Sequence, residues 1–314
     1  MYRKTYLEVD CEKLKNNIIN IKENYPDYKY YFGVVKANAY GHGSYIINSL
    51  IDGGINYLSV SSLEEALKLR EYNKQIPILV LEPIHLEYME ECIQNNITIT
   101  VSNLDYFKEL LNITLSQQLK IHIKLDTGMS RLGIHNKDDF NILMANISKN
   151  PNLFIEGIYT HFATSGINDK HWDNQLEKFK NITQDIDLSK IPIVHMGRSL
   201  TLVNHEKIPF CNGTRLGIVM YGMSQTMPIG HGLRAFIRNF RNNRNRKKLN
   251  ISPTTTTNNL KLSTAITLCS EVIDIKTIHK NDIVGYGALF TADKDMTIAT
   301  IPIGYADGIP CPDG

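Results

Sequence analysis

The sequence predicts an α/β protein with an N-terminal (β/α)8 barrel of the TIM type and a smaller β domain after it. From residue 30 onward, short runs rich in β-branched and aromatic residues alternate with amphipathic helical segments. Eight such runs occur before residue 223, the number that closes a parallel barrel through right-handed crossovers. After Gly222 the alternation stops, and the later apolar runs are β-rich with little helix.

Each of the eight runs has the length and composition of a buried strand. They span 30–37, 55–62, 76–83, 97–103, 119–126, 153–163, 191–196 and 215–222. Three intervening segments, 62–73, 85–96 and 140–150, repeat apolar residues at three- and four-residue spacing, which indicates helices. An open doubly wound sheet is the alternative. It is disfavoured because no GxGxxG sequence follows the first run.

Composition and charge are those of an ordinary globular protein. The chain has 314 residues, of which 42% are hydrophobic and 21% charged, with a formal charge of +2. This balance gives no argument for nucleic acid or a membrane surface as a partner. The N-terminus has no signal-peptide core and no segment resembles a membrane span, so a cytoplasmic protein is expected. The five cysteines show no CxxC pairing, which predicts neither disulfides nor a metal site.

Three regions are expected along the chain. Residues 11–225 form the barrel, 226–261 a basic, Asn/Thr-rich insertion or linker, and 262–314 a partial β domain that residues 1–10 join by strand pairing. The arginines and lysines of 230–260 could contact an anionic surface. A solvated loop is the favoured interpretation, since the segment lacks the interleaved aromatic residues of a single-strand binder.

Lys36 ends the first apolar run, in the sequence VVKANAYGHG (34–43). Burying an ammonium group without a partner costs several kcal/mol or forces it to neutralise. Lys36 is therefore expected to be exposed at a strand end, paired or reactive. The sequence of this run is compatible with either an exposed or a reactive lysine. The other predicted strands are needed to distinguish the two.

Polar residues gather at the carboxyl ends of the predicted strands, where (β/α)8 barrels carry out their chemistry. They are Lys36, Tyr40, Lys124, Asp126, Arg131, His161, His195 and Ser199, together with Arg215, which opens the eighth run. Such a cationic pocket favours an anionic ligand. The loops after strands seven and eight commonly hold a phosphate, and here they contain Ser199 and Gly217. Pyridoxal phosphate, bound to a lysine as a Schiff base, needs both a phosphate loop and a reactive lysine.

Six motifs, in this order and at similar spacings, resemble those of the alanine racemases, which are fold-type III pyridoxal-phosphate enzymes. They are VVKANAYGHG (34–43), KLDTGMSRLG (124–133), YTHFA (159–163), RLGIVMYG (215–222), VGYGALF (284–290) and IPIGYADG (301–308). The resemblance covers nearly the whole chain. It implies racemisation of L- and D-alanine, which supplies D-alanine for peptidoglycan, by a cytoplasmic homodimer.

The resemblance also implies roles for the two bases. Lys36 matches the lysine that holds the cofactor and moves a proton on one face of the substrate Cα. Tyr286 matches the tyrosine that acts from the opposite face and comes from the neighbouring subunit. Racemisation needs deprotonation on one face and reprotonation on the other, so two opposed bases suffice. His161 matches the histidine that hydrogen-bonds this tyrosine.

Further matches concern the cofactor and the substrate. Arg215 matches the arginine that faces the pyridine nitrogen; as a permanent donor it would weaken the ring as an electron sink and limit transamination. Arg131 matches the arginine on the substrate carboxylate, and Lys124 a lysine that is carbamylated in many members. Tyr305 matches a tyrosine at the substrate entrance. The phosphate-binding set corresponds to Tyr40, Ser199, Gly217 and Ile218.

Two features depart from the family pattern. Arg198 stands where the family usually has asparagine, which adds a cation beside the phosphate loop. Family members also continue for several tens of residues after GYADG, whereas this sequence ends at Gly314. The resemblance therefore predicts a C-terminally truncated β domain that exposes a sheet edge, with reduced or absent activity.

Alternative functions remain at this point. The chain could be an inactive pyridoxal-phosphate-binding remnant, or a racemase for another amino acid such as serine or a longer basic one. Another fold-type III enzyme, a decarboxylase or a cofactor-homeostasis protein, is disfavoured by Tyr286 and the GYADG motif. Structural roles are expected for His42, His135 and His195, since the reaction needs no further base.

Overall fold

A computed structural model describes residues 3–164, 170–223 and 260–309. The chain divides into two units, one formed by Cys11–Ala265 and the other by Met1–Asp10 with Ile266–Gly314. Most of the predicted linker, residues 226–259, lies outside the described residues, as do 224–225 and 310–314. No described helix is long and apolar enough to cross a membrane.

Eight parallel strands in the described part of the larger unit close into a barrel, in the order β2 to β9 with β9 pairing back onto β2. The predicted (β/α)8 architecture is confirmed, and the open doubly wound sheet is wrong. The strands are β2 (Tyr30–Val34), β3 (Tyr57–Val60), β4 (Ile78–Val80), β5 (Ile97–Val101), β6 (Leu119–Lys124), β7 (Leu153–Tyr159), β8 (Ile193–Arg198) and β9 (Gly213–Leu216).

Helices surround the barrel, and three of them begin after a serine or asparagine that caps the helix. Ser62, Asn103 and Asn136 each accept a hydrogen bond from a backbone N–H of the helix that follows, which satisfies one of its unpaired donors. The described helices are α1 (Cys11–Asn24), α2 (Lys36–Tyr40), α3 (Ile47–Gly53), α4 (Leu63–Arg70), α5 (Met89–Gln94), α6 (Leu104–Leu110), α7 (Lys137–Ile147), α8 (Lys170–Thr183) and α9 (Ser199–Asn204).

The apolar core lies between the barrel and its helices and extends into the barrel. Leu14, Ile18 and Ile21 of α1 are fully buried, at the spacing of one helical face. Inside the barrel, Phe32 stacks on Tyr57 with ring centroids 4.4 Å apart. This packing fixes the strands whose ends carry the polar residues.

Irregular pairing interrupts the barrel at two places. Ile121 pairs with Ile155 and His122 with Gly157, so Glu156 is an extra residue in β7. A second register shift occurs between His195 and Gly197 of β8. Such bulges re-aim side chains, and both lie beside polar residues inside the barrel.

The smaller unit consists of antiparallel strand pairs. Residues 6–9 and 266–269 form one pair, so the N-terminus joins the C-terminal β domain. The described strands are β1 (Tyr6–Val9), β10 (Ile266–Cys269), β11 (Asp274–Ile278), β12 (Ile283–Val284), β13 (Phe290–Thr291) and β14 (Met296–Thr300). The other two pairs join β11 to β14 and β12 to β13.

Candidate active site

Lys36 lies two residues beyond β2, at the start of a left-handed turn. The backbone φ angles of Ala37, Asn38, Ala39 and Tyr40 are 52°, 53°, 55° and 53°. A left-handed helical turn of L-residues other than glycine costs roughly 1–2 kcal/mol per residue. The lysine is therefore presented from a strained segment that its surroundings must hold in place.

Glu65 holds this turn. Its Oε1 accepts a hydrogen bond of 2.6 Å from the backbone N–H of Ala37, and its Oε2 accepts one of 2.7 Å from that of Ser61. Ser62 caps α4 by accepting from the N–H of Glu65, which fixes the carboxylate. A carboxylate that receives two backbone N–H groups forms strong, charge-assisted bonds. Glu65 thus ties the residue after Lys36 to the end of β3.

Tyr40, Ser199 and Gly217 form a small cradle next to Lys36. The backbone N–H of Gly217 donates to Ser199 Oγ over 3.0 Å. A Cβ placed on Gly217 would lie 3.5 Å from Ser199 Oγ and 3.7 Å from the Tyr40 hydroxyl, so it would fill the space between them. Glycine leaves room there for a ligand that meets two hydroxyl groups and the backbone.

Arg215 lies inside β9 with 2% of its surface exposed. Its Nη1 donates to His195 Nδ1, and its Nη2 donates to the carbonyl oxygen of Thr160 over 2.8 Å. The partners are neutral, and burial lowers the pKa of Arg215 to about 10. The guanidinium is still charged at neutral pH and has no carboxylate against it among the described residues, so an anion or an acceptor on a ligand would complete the site.

His161 accepts a further hydrogen bond from this guanidinium. Its Nδ1 lies 3.3 Å from Arg215 Nη2. Because arginine can only donate, Nδ1 must be the acceptor and the proton must sit on Nε2. Burial first, and then the charges of Arg215 and Arg198, hold the pKa of His161 well below its usual range. His161 is therefore a neutral imidazole with a donor on its far side.

Lys124 and Tyr159 line the same wall of the site. The ammonium of Lys124 lies 5.5 Å from the centre of the Tyr159 ring, and the guanidinium of Arg215 lies 5.3 Å from it. Burial, followed by repulsion from Arg131 and Arg215, lowers the pKa of Lys124 to about 8. A minor fraction of the Lys124 amine is thus neutral near neutral pH.

Arg131 is carried by a loop that Asp126 organises. Asp126 Oδ1 accepts hydrogen bonds of 3.0 Å from each of the backbone N–H groups of Gly128, Met129 and Ser130. Although burial opposes ionisation, these bonds lower the pKa of Asp126. The loop delivers Arg131 to the mouth of the barrel.

Replacing Asp126 by alanine is expected to lower the free energy of unfolding by roughly 2 kcal/mol, because three backbone N–H groups lose a charged acceptor. Asp126→Asn keeps an acceptor oxygen and should lose less. Urea unfolding at pH 7.5 measures both. The exposed Asp52 offers a matched control, since Asp52→Ala should change stability by no more than about 0.5 kcal/mol. Equal effects of Asp126→Ala and Asp52→Ala would show that the loop does not depend on Asp126.

Lys36, Lys124, Arg131, Arg198 and Arg215 line one cavity of about 420 Å³ at the carboxyl ends of the barrel strands. Glu82 is an acidic residue in its lining, and burial raises the pKa of that carboxyl group. The structure therefore brings together, in the larger unit, the predicted site residues Lys36, Tyr40, Lys124, Arg131, His161, Ser199, Arg215, Gly217 and Ile218. Their charge suits an anionic ligand.

Tyr286 and Tyr305 belong to the smaller unit. Each begins a short 3-10 helix, and they are 96% and 63% exposed, respectively. Of the other histidines, His42 is buried and stacks on Tyr221 with ring centroids 4.4 Å apart, whereas His135 is exposed. His195, for which a structural role was expected, lies directly against Arg215.

Sequence reasoning did not identify Glu65, His122 or Glu156. Glu65 has a readable signal, because Ser62 and Glu65 form the S-x-x-E pattern of a capped helix start. His122 also has one: Lys120, His122 and Lys124 alternate with apolar residues, which indicates a polar face inside the barrel. The inward position of Glu156 depends on the bulge in β7 and has no comparable signal.

Comparisons with known proteins decide the family. Residues 9–225 match the family model described as "Alanine racemase, N-terminal domain", and residues 265–312 match "Alanine racemase, C-terminal domain". The chain belongs to the alanine racemase family. Members of this family are amino-acid racemases, a class of isomerase.

Curated relatives from two genera support the same family assignment. The chain is 33% identical over 309 residues to alanine racemase 1 of Bacillus subtilis (strain 168), covering 98% of this chain and 72% of the relative. It is also 33% identical over 313 residues to the alanine racemase of Streptococcus equi subsp. equi (strain 4047), covering 98% and 77%.

Solved structures share the fold. The alanine racemase from Bacillus anthracis with bound L-Ala-P superposes with a TM-score of 0.79 at 31% identity, covering 98% of this chain and 74% of that one. The histidine racemase from Leuconostoc mesenteroides subsp. sake superposes with a TM-score of 0.80 at 29% identity, covering 98% and 77%. Solved structures with this fold are thus named as racemases of different amino acids.

Proposed function

We propose that this protein racemises alanine with pyridoxal phosphate as its cofactor, and so supplies D-alanine for peptidoglycan. One observation carries the proposal: Lys36, the cradle of Tyr40, Ser199 and Gly217, and the buried Arg215 line the same cavity. An amine, a phosphate-sized polar cradle and a fixed cation are what a phosphorylated aldehyde cofactor with a ring nitrogen requires.

The donor set fits the cofactor. The hydroxyl groups of Tyr40 and Ser199 and the backbone at Gly217 and Ile218 would hold the phosphate, where a Cβ on Gly217 would fill the space. Arg215 would donate to the pyridine nitrogen, and Lys36 would bind the aldehyde carbon. When bound, pyridoxal phosphate withdraws electrons from an amino acid joined to it and makes its Cα proton acidic.

Two bases would exchange that proton. Lys36 Nζ takes or returns it on one face of Cα, and the Tyr286 hydroxyl does so on the other. The tautomer of His161 supports this assignment, because its Nε2–H is free to donate to a phenolate oxygen while Nδ1 accepts from Arg215. A donor at the phenolate oxygen stabilises the charged form of Tyr286.

Arg131 would hold the substrate carboxylate, and Lys124 would adjust the charge beside it. A partly neutral amine can add carbon dioxide and become an anionic carbamate, and the lowered pKa of Lys124 provides such an amine. The carbamate would attract the Arg131 guanidinium where the ammonium repels it. Tyr305 would line the substrate entrance.

We further propose that the active protein is a homodimer in which each site uses Lys36 of one chain and Tyr286 of the other. The two residues lie in different units, and Tyr286 is 96% exposed. A tyrosine so exposed is available to a second copy of the chain.

Incubation with L-alanine and pyridoxal phosphate should yield D-alanine, detected by chiral chromatography, and Lys36→Ala should abolish it. Borohydride reduction and peptide mass spectrometry should find the cofactor on the Lys36 peptide. Lys29→Ala, an exposed lysine just before β2, is the matched control and should retain both signals.

Three results would change the proposal. Faster racemisation of serine or histidine than of alanine would overturn the substrate. Cofactor on Lys36 without racemisation of any amino acid would favour an inactive cofactor-binding protein. Absence of cofactor from Lys36 would overturn the cofactor assignment.

Replacing Arg198 by asparagine should weaken cofactor binding. Arg198 lines the cavity, and its Nη2 donates to the Thr164 carbonyl oxygen over 2.8 Å. Removing one cation from the lining of a site for a phosphorylated ligand is worth about 1 kcal/mol, or about fivefold in the dissociation constant. Fluorescence titration with pyridoxal phosphate measures it, and Arg198→Lys should largely restore affinity. If the wild type and both variants bind pyridoxal phosphate with equal affinity, the charge of Arg198 does not contribute to cofactor binding.

A further inference from the structure

A chain of hydrogen bonds runs through the inside of the barrel, from Arg215 to Glu156. Arg215 Nη1 contacts His195 Nδ1, His195 Nε2 lies 2.9 Å from His122 Nδ1, and His122 Nε2 lies 3.3 Å from Glu156 Oε2. Both imidazoles are fully buried. We call these four residues the barrel relay.

The direction of every bond in the barrel relay follows from its two ends. Arginine only donates, so His195 Nδ1 accepts and its proton must be on Nε2. That proton is donated to His122 Nδ1, which leaves the proton of His122 on Nε2. A carboxylate only accepts, so Glu156 receives it. Both histidines are thereby fixed as neutral Nε2–H tautomers.

The surroundings are shaped to keep these rings in place. His195 is sandwiched between Phe32 and Tyr159, with ring centroids 4.6 Å and 4.7 Å away. A Cβ on Gly157 would lie 2.5 Å from Cε1 of His122, so the glycine makes room for that ring. Rotation of either imidazole would require the barrel packing to move.

Glu156 is held as an ionised acceptor at the far end. The hydroxyl groups of Tyr57 and Thr98 donate to its Oε2 over 2.5 Å and 3.0 Å, and Lys120 Nζ lies 3.9 Å from Oε1. Although burial opposes ionisation, hydrogen bonds from His122 and Tyr57 lower the pKa of Glu156 to about 2. Burial, in contrast, lowers the pKa values of His122 and His195.

We propose that Glu156 is a positioning residue for Arg215: through the barrel relay it fixes the tautomers of His122 and His195, so that Arg215 meets only an acceptor at His195. Without an acceptor-only group at the far end, Arg215 alone would favour these tautomers. His122 could then carry its proton on Nδ1, which would place a proton on His195 Nδ1 against Arg215. The guanidinium would have to move from the cavity wall. The expected effect of a displaced Arg215 on turnover rests on the proposed function. The predicted tautomers of His122 and His195 do not depend on it.

Nitrogen-15 NMR of the full chain, labelled at histidine, tests the tautomers directly. In the wild type, His122 and His195 should each show one protonated and one unprotonated ring nitrogen, with the proton on Nε2. Glu156→Gln, whose amide oxygen can take the place of Oε2 and accept from His122, Tyr57 and Thr98, should keep this pattern. Glu156→Ala should lose it and show mixed tautomers.

Two further variants distinguish an effect on the histidine tautomers from a general loss of stability. Gly157→Ala crowds the His122 ring without removing a polar group and should also lose the single-tautomer pattern, which keeps the test decisive if Glu156→Ala does not fold. Thr98→Val removes one bond to Glu156 outside the barrel relay, so it should lower stability and leave the tautomers unchanged. Unchanged tautomers in Glu156→Ala or Gly157→Ala, or an Nδ1–H form in the wild type, would overturn the proposal.

Racemase assays of the cofactor-loaded variants distinguish this proposal from the proposed function. A loss of turnover in Glu156→Ala that Glu156→Gln restores supports positioning of Arg215. Turnover unaffected by Glu156→Ala, with scrambled tautomers, overturns the catalytic part. A wild type that racemises nothing, with the predicted tautomers intact, supports the barrel relay and counts only against the proposed function.

Discussion

Mixing a Lys36→Ala chain with a Tyr286→Phe chain is expected to restore racemase activity that neither variant has alone. In a hybrid dimer one site receives the intact Lys36 of one chain and the intact Tyr286 of the other. If subunits assort at random, half of the dimers are hybrids with one complete site of two, so about a quarter of wild-type activity should return. Chiral chromatography of D-alanine after joint refolding measures the recovery.

Each variant refolded with itself is the control, and should remain inactive because one face of Cα lacks its base. Tyr286 is almost fully exposed, so its change to phenylalanine should leave the chain folded. If mass spectrometry detects hybrid dimers but no activity returns, a site shared between chains is contradicted.

Acid should destabilise the cofactor-free protein well before its carboxylates are protonated. His122 and His195 have no exposed surface, and burial lowers the pKa of both. Arg215 and His161 further oppose a charge on His195, whereas Glu156 favours one on His122 without reversing the shift. Below pH 6.5 the unfolded chain binds a proton at each histidine and the folded chain does not. These two histidines alone should therefore lower stability by up to about 3 kcal/mol per pH unit, since each proton contributes about 1.4 kcal/mol per unit.

Urea unfolding between pH 7.5 and 5, followed by the fluorescence of Trp172, the only tryptophan in the sequence, measures this slope. At lower pH, stability that Glu156 contributes above the ordinary carboxyl pKa is lost as the pH falls toward about 2. The exposed His85 provides the control: His85→Asn should leave the slope unchanged. A free energy of unfolding that is equal at pH 7.5 and 5.5 would contradict the neutral buried pair.

The sequence was sufficient for the barrel and for the residues at its strand ends, because strand periodicity and strand polarity place such residues without knowledge of packing. Lys36 follows from that rule. Arg215 opens the predicted run 215–222, and it lies near the carboxyl end of a strand because the observed β9 is Gly213–Leu216. Glu156 does not follow from the rule, because one extra residue in β7 turns it inward, and a single-residue shift between neighbouring strands leaves no mark on hydrophobic alternation. The left-handed backbone after Lys36 could not be predicted from the sequence either, since alanine and tyrosine do not favour positive φ.

That backbone also limits which sequences can follow Lys36. Ala37, Asn38, Ala39 and Tyr40 all have φ near 50°, a region that β-branched side chains avoid and that proline cannot enter. Valine, isoleucine, threonine and proline are thus excluded from three positions between the lysine and the tyrosine for reasons unrelated to ligand contact. Small residues, asparagine, aspartate and glycine tolerate this backbone best, so the sequence of this segment reflects the shape of its backbone as much as the chemistry beside it.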